Sequence, residues 1–157
     1  MMIVDTPLSF DEVTRRLRNE RGDASIPGII ALAKEARTES EYIGEITKCY
    51  VGRSGFMLFG EIDHGGWLTA FGIKRRTVRL ILGNPLIAKA MIRNDVTAGL
   101  FAAVELLVTE YEDRKETNPV YVRPSSLIVV GENGPLRQVA NALDTKFGAL
   151  VTSATAV

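Results

Sequence analysis

One short stretch of the chain collects the residue types that could carry acid–base chemistry. Glu61, Asp63 and His64 stand together, followed at once by Gly65, Gly66 and Trp67. His64 is the only histidine of the chain. Imidazole alone has an unperturbed pKa near neutrality, which suits it to give or take a proton. A neighbouring carboxylate, here Asp63, can orient such a ring and stabilise its cation. Adjacent residues of an extended strand point to opposite faces, so Asp63 reaches His64 only if the chain bends, and the two glycines permit a bend. Glu61 and Asp63 also share a face by period two, and two nearby carboxylates can split their pKa values and act as acid and base. The plainer readings are a histidine satisfied at a strand end and two solvated carboxylates. His64, Asp63 and Glu61 have donor types suited to a metal. With no second histidine and no cysteine cluster, no metal is expected.

Gly83-Asn84-Pro85 is the second candidate. Asn84 is a good helix N-cap, Pro85 a good first helical residue, and Gly83 permits the turn. The same geometry aims free backbone N–H groups outward, where they could hold an anion or a carbonyl oxygen. Trp67, with Phe71 and Tyr50, could wall an apolar pocket, although aromatics at helical spacing are more often core. Nucleophile elbows, phosphate loops and dinucleotide fingerprints are absent, so no cofactor is expected.

These residues need elements to place them. An apolar start at residues 2–4 fits an edge strand. Ser9 and Glu12 form a capping box ahead of a helix with Phe10, Val13 and Leu17 on one face, ending at Gly22. Pro27 suits the first turn of a second helix, and Thr38 with Glu41 caps a third carrying Tyr42, Ile43, Ile46, Cys49 and Tyr50. At that spacing Cys49 reads as a small buried hydrophobe. Residues 56–63 read as a strand whose one face holds Met57, Phe59, Glu61 and Asp63. Strands follow at 77–82, 104–111 and 120–123, the last limited by Pro124. Residues 127–130 stay unassigned. Leu136, Ala140, Leu143 and Phe147 define a final helix, and the tail from Val151 reads as frayed. Strands grouped as hairpins, with helices before and after, point to α+β.

Lys plus Arg and Asp plus Glu each number 19, so the chain carries no net charge. That speaks against a nucleic-acid partner, since phosphate neutralisation supplies most of such affinity. The one basic run, Lys74-Arg75-Arg76 with Arg79 nearby, reads as a solvated turn and strand edge, or else as an anion-binding patch. A single cysteine excludes an intrachain disulfide and fits a reducing compartment. The first residues lack the pattern of a signal peptide, and no apolar run approaches the roughly 20 residues of a membrane span. A cytoplasmic protein with no membrane partner is expected.

The segment Gly55-Phe-Met-Leu-Phe-Gly-Glu-Ile-Asp63-His64, then Ile81-Leu-Gly83-Asn84-Pro85, then an apolar strand ending at Glu110, resembles in order and separation the domain of unknown function 302 family. The resemblance covers residues 1–20 and 53–130, with 22–51 as a helical insertion within one domain spanning 1–157. It implies an α+β fold similar to the TATA-binding-protein-like class, a curved antiparallel sheet with helices mainly on one face, as a homodimer. Phe101-Ala102 stands where the family commonly has Leu-Pro. Two functions follow as expectations. One is a protein that binds a small organic molecule, with isomerase, lyase or cyclase chemistry at His64, and with Asp63, Glu61, Asn84 and Trp67 around one cavity. The other is a non-catalytic dimeric interaction module.

Overall fold

The computed structural model describes residues 1–157. In chain order the elements are β1 (Met2–Ile3), α1 (Phe10–Glu20), β2 (Gly22–Asp23), α2 (Ile26–Glu35), α3 (Glu39–Tyr50), β3 (Met57–Asp63), α4 (His64–Leu68), β4 (Thr77–Gly83), α5 (Pro85–Ile92), β5 (Val104–Glu110), β6 (Thr117–Tyr121), α6 (Pro124–Ile128) and α7 (Gly134–Thr155). The strands form one sheet in the order β1-β6-β5-β4-β3-β2. Only β2 and β3 run parallel; every other neighbouring pair is antiparallel. The fold is α+β.

Alternation places the core. Val78, Leu80 and Leu82 of β4 stand opposite Val108, Leu106 and Val104 of β5, and all six are buried. Helices cover this face: α1 contributes Val13 and Leu17, α5 contributes Met91, and α7 runs Leu136, Ala140, Leu143 and Phe147 along it. Phe147 sits edge-on between Phe56 and Tyr121, at centroid distances of 5.8 and 4.9 Å. Each such buried side chain contributes about 1.5–3 kcal/mol through the area it removes from water.

Local signals start the helices as expected. Ser9 accepts from the Glu12 amide, Thr38 from the Glu41 amide, and Pro27 lies in the first turn of α2. Three expectations are corrected. The C-terminal stretch is helical to Thr155, because Leu150, Val151 and Ala154 keep the apolar stripe going and are buried. Cys49 is exposed, since α3 buries only Ile46. The last strand begins at Thr117, whose backbone exchanges hydrogen bonds of 3.1 Å in each direction with Thr6, and residues 124–128 form α6.

Residues 22–51 fold as β2, α2 and α3, and α2 has no buried residue. Ile46 and Met57 are fully buried yet lie outside the 19-residue core cluster. Met57 pairs with Gly83, which turns it away from the face of Leu82. No helix is long and apolar enough to cross a membrane.

Candidate functional site

The register between β3 and β4 slips by one residue between Leu58 and Gly60, where Phe59 forms a β-bulge. A bulge reverses which face each later residue of its strand presents. Beyond it, Glu61 pairs with Leu80 and Asp63 with Val78, so both carboxylates share the helix-covered face. Met57 and Phe59 do not join them, contrary to the uninterrupted period-two reading. Gly83 accommodates the bulge, because a Cβ there would stand 2.9 Å from the Phe59 ring.

Past the end of the core these carboxylates border an open depression of about 510 Å³. Arg18, Lys74, Arg75 and Arg76 also line it, with Phe10 and Val78 as its apolar part. Arg18 of α1 reaches Glu61 at 3.0 Å. Arg76 holds Asp11 through two hydrogen bonds of 3.0 and 2.6 Å, and its guanidinium lies 4.3 Å from the centre of the Phe10 ring. Those hydrogen bonds hold the Asp11 carboxyl below its ordinary value of 3.8 and push the Arg76 guanidinium further up.

Asp63 and His64 do not hold each other. Asp63 is the N-cap of α4, its Oδ1 accepting from the Gly66 amide at 3.0 Å. The His64 Nδ1 accepts from the Trp67 indole N–H at 3.2 Å, and His64 does not line the depression. Trp67 is half-exposed and stacks edge-on with Phe71, outside the depression as well. Close approach explains Gly65: a Cβ there would stand 3.0 Å from both the Arg75 carbonyl oxygen and the Thr77 amide nitrogen.

Asn84 sits at the other end of the same strands. Met57 pairs with Gly83 whereas Asp63 pairs with Val78. Six residues of strand, at about 3.3–3.4 Å each, put Asn84 roughly 20 Å from the Asp63 end. The expected cavity shared by His64, Asp63 and Asn84 is therefore not formed, because antiparallel pairing sends the two motifs to opposite rims. Asn84 is buried and both polar atoms of its amide are bonded: Oδ1 accepts from the Leu86 amide at 2.8 Å and Nδ2 donates to the Gly55 carbonyl at 2.9 Å. It caps α5 and ties that junction to the start of β3.

The sequence profile of a family described as a domain of unknown function, DUF302, matches residues 32–154. This chain belongs to the DUF302 family. The match begins within α2 and runs through α3, so it takes in residues 32–51 of the 22–51 segment. No curated protein matches the chain. Among solved structures it is similar to an uncharacterized conserved DUF302 protein from Bacillus stearothermophilus, with 18% identity and a TM-score of 0.67 over 97% of this chain and 95% of that one. At that identity the likeness speaks for the fold.

Within this DUF302 chain, sequence reasoning found the two carboxylates and overlooked their setting. Arg18 and Phe10 come from α1, far away in the chain, and nothing local announces them. Lys74, Arg75 and Arg76 were visible as the one basic run, whose alternative reading was an anion-binding patch.

Proposed function

We propose that the protein binds a small organic molecule in the depression at the Asp63 end of β3 and β4. One observation carries this reading: the bulge at Phe59 turns Glu61 and Asp63 toward the very place where four cationic side chains collect. Bulges commonly re-aim side chains beside functional sites, and a few converging polar groups in a concavity are the usual make-up of a ligand site. Any proton transfer falls to Glu61 or Asp63 in this reading, since the imidazole lies outside the depression. The exposed Cys49, with no disulfide partner in the chain, fits the reducing cytoplasm that the reading assumes. A thermal-shift screen of a metabolite collection tests it, run on the wild type and on Asp63→Asn and Glu61→Gln. The reading expects at least one compound that stabilises the wild type and loses most of its effect on the variants. Stabilisation that is identical in all three proteins would sink it.

A second reading rests on the sheet face away from α1 and α7. Ile3, Ile62 and Val122 are exposed there, with Leu107 and Val120 partly so and an Arg79–Glu105 ion pair among them. A face this apolar suits a second copy of the chain, making the protein a dimeric module. Sedimentation separates the cases: a dimer that Leu107→Asp dissociates supports this reading, and a monomeric wild type removes it.

A further inference from the structure

The depression is charged unevenly, and the imbalance specifies a ligand. Of its four cations, Arg18 is paired with Glu61 and Arg76 with Asp11. Lys74 and Arg75 make no ion pair. Arg75 donates its Nε–H to the Glu110 carbonyl, which orients the guanidinium and leaves its two terminal nitrogens without a partner. A planar fork with free ends takes a carboxylate through two parallel hydrogen bonds, and a lysine beside it adds a mobile point charge. The same lining holds Asp63, whose Oδ1 is occupied by the Gly66 amide, and Glu61. Carboxylates there accept from a hydroxyl or ammonium group.

We infer that the ligand is a small organic acid, a hydroxy or amino acid, whose carboxylate is held by Arg75 and Lys74 and whose hydroxyl or ammonium group faces Asp63 and Glu61. This rests on the reading that the depression is the binding site. A phosphate dianion is drawn more strongly to the cations, but it fits less well because it has no separate hydroxyl or ammonium arm to place on Asp63 and Glu61 while its charge sits on Arg75 and Lys74. A polyanion fits less well again, since the chain as a whole is neutral.

The test is an amide-resonance titration of the full chain with lactate, with its neutral analogue lactamide and with inorganic phosphate. Lactate at millimolar concentration is expected to shift the resonances of Gly65, Gly66, Thr69, Arg75 and Thr77. Lactamide and phosphate should bind at least about tenfold more weakly, the usual cost of losing or mismatching one charged hydrogen-bonded contact. Arg75→Ala and Lys74→Ala should each weaken lactate by about tenfold, with unchanged melting temperatures as the control for folding. Lactate binding that survives both substitutions overturns the inference, as does phosphate binding more tightly than lactate. If lactamide shifts the same resonances as strongly as lactate, the organic-acid assignment falls while the binding site stands. If none of the three probes moves those resonances but compounds from the metabolite screen do, only the assignment falls. If nothing moves them, both readings fall together.

Discussion

The two ends of the β3–β4 pair are built from the same strands and differ in how far their polar groups are satisfied. At the Asn84 end, each polar group of the asparagine is consumed inside the protein: one amide atom caps α5, the other binds Gly55, and the residue is buried. At the Asp63 end, Lys74 and Arg75 have no counter-ion, and Asp63 is exposed although one of its oxygens caps α4. A buried side chain with both polar atoms bonded internally is poorly placed to meet a ligand. The satisfied end therefore reads as structure, in keeping with the helix cap that the sequence suggests for Asn84, and the unsatisfied end fits the proposed site.

Substitutions at the closed end should cost the most stability. Asn84→Ala removes a cap, worth about 1 kcal/mol, and strands a carbonyl, worth about 1–3 kcal/mol, for a total of about 2–4 kcal/mol. At about 2–4 °C per kcal/mol for a chain of this size, the fall in melting temperature is easily measured. Asn84→Ser keeps a capping oxygen and loses the donor to Gly55, so it should melt between the two. If Asn84→Ala melts like the wild type, the end is not closed in the sense argued.

Gly65→Ala comes next and joins stability to site. The added Cβ pushes α4 off the backbone at Arg75 and Thr77, where the chain enters β4, at a cost of about 1–3 kcal/mol. Because Arg75 shifts with it, ligand response should fall as well. A variant that melts normally would show that the close approach has room to relax.

Asp63→Asn probes the open end itself. Asparagine caps as well as aspartate, so stability should move by less than about 0.5 kcal/mol. A ligand response reduced without loss of stability would separate a ligand contact of this side chain from its capping bond. A normal ligand response would take Asp63 out of the site.

His64→Gln should change less still. The glutamine retains an acceptor for the Trp67 indole, and binding measured by thermal shift should match the wild type. That reverses what the sequence alone suggests for the sole histidine. Loss of binding in a folded His64→Gln protein would return the imidazole to the chemistry.

The smallest effect belongs to the exposed Asp11–Arg76 pair. Arg76 lowers the folded value of Asp11, so the contribution is complete above the carboxyl's ordinary 3.8 and is lost as pH falls through the lower folded value. Melting curves of the wild type and Asp11→Asn should differ slightly at neutral pH and converge on the acid side of 3.8. Curves that converge well above it would show that the pair is not formed in solution.

How much was legible divides by the range of the interaction. Ser9, Thr38 and Asn84 announced helix starts because a cap is a bond to an amide two or three residues away. The apolar spacing of Leu136, Ala140, Leu143 and Phe147 announced the final helix, and alternation announced the core faces of β4 and β5. The tail looks frayed only if the apolar spacing is taken to stop at Phe147; it runs on through Leu150, Val151 and Ala154, which are buried. For Cys49, helical spacing says only which residues share its face, and the neighbours decide that this face stays exposed.

By itself, then, the sequence determined the helix caps, the apolar stripes, the α+β class and the clustering of Glu61, Asp63 and His64. These follow from local bonds and from periodicities of two and 3.6 that any partner surface would respect. Tertiary structure alone decided that Phe59 bulges, so that Glu61 and Asp63 turn toward α1 while His64 and Trp67 stay outside the depression. It also decided that Asn84 stands at the far rim and that Arg18, Lys74 and Arg75 gather beside the carboxylates. A bulge exists only relative to the strand it pairs with, and a cation is unpaired only relative to every element folded around it. Neither property is carried by a residue alone.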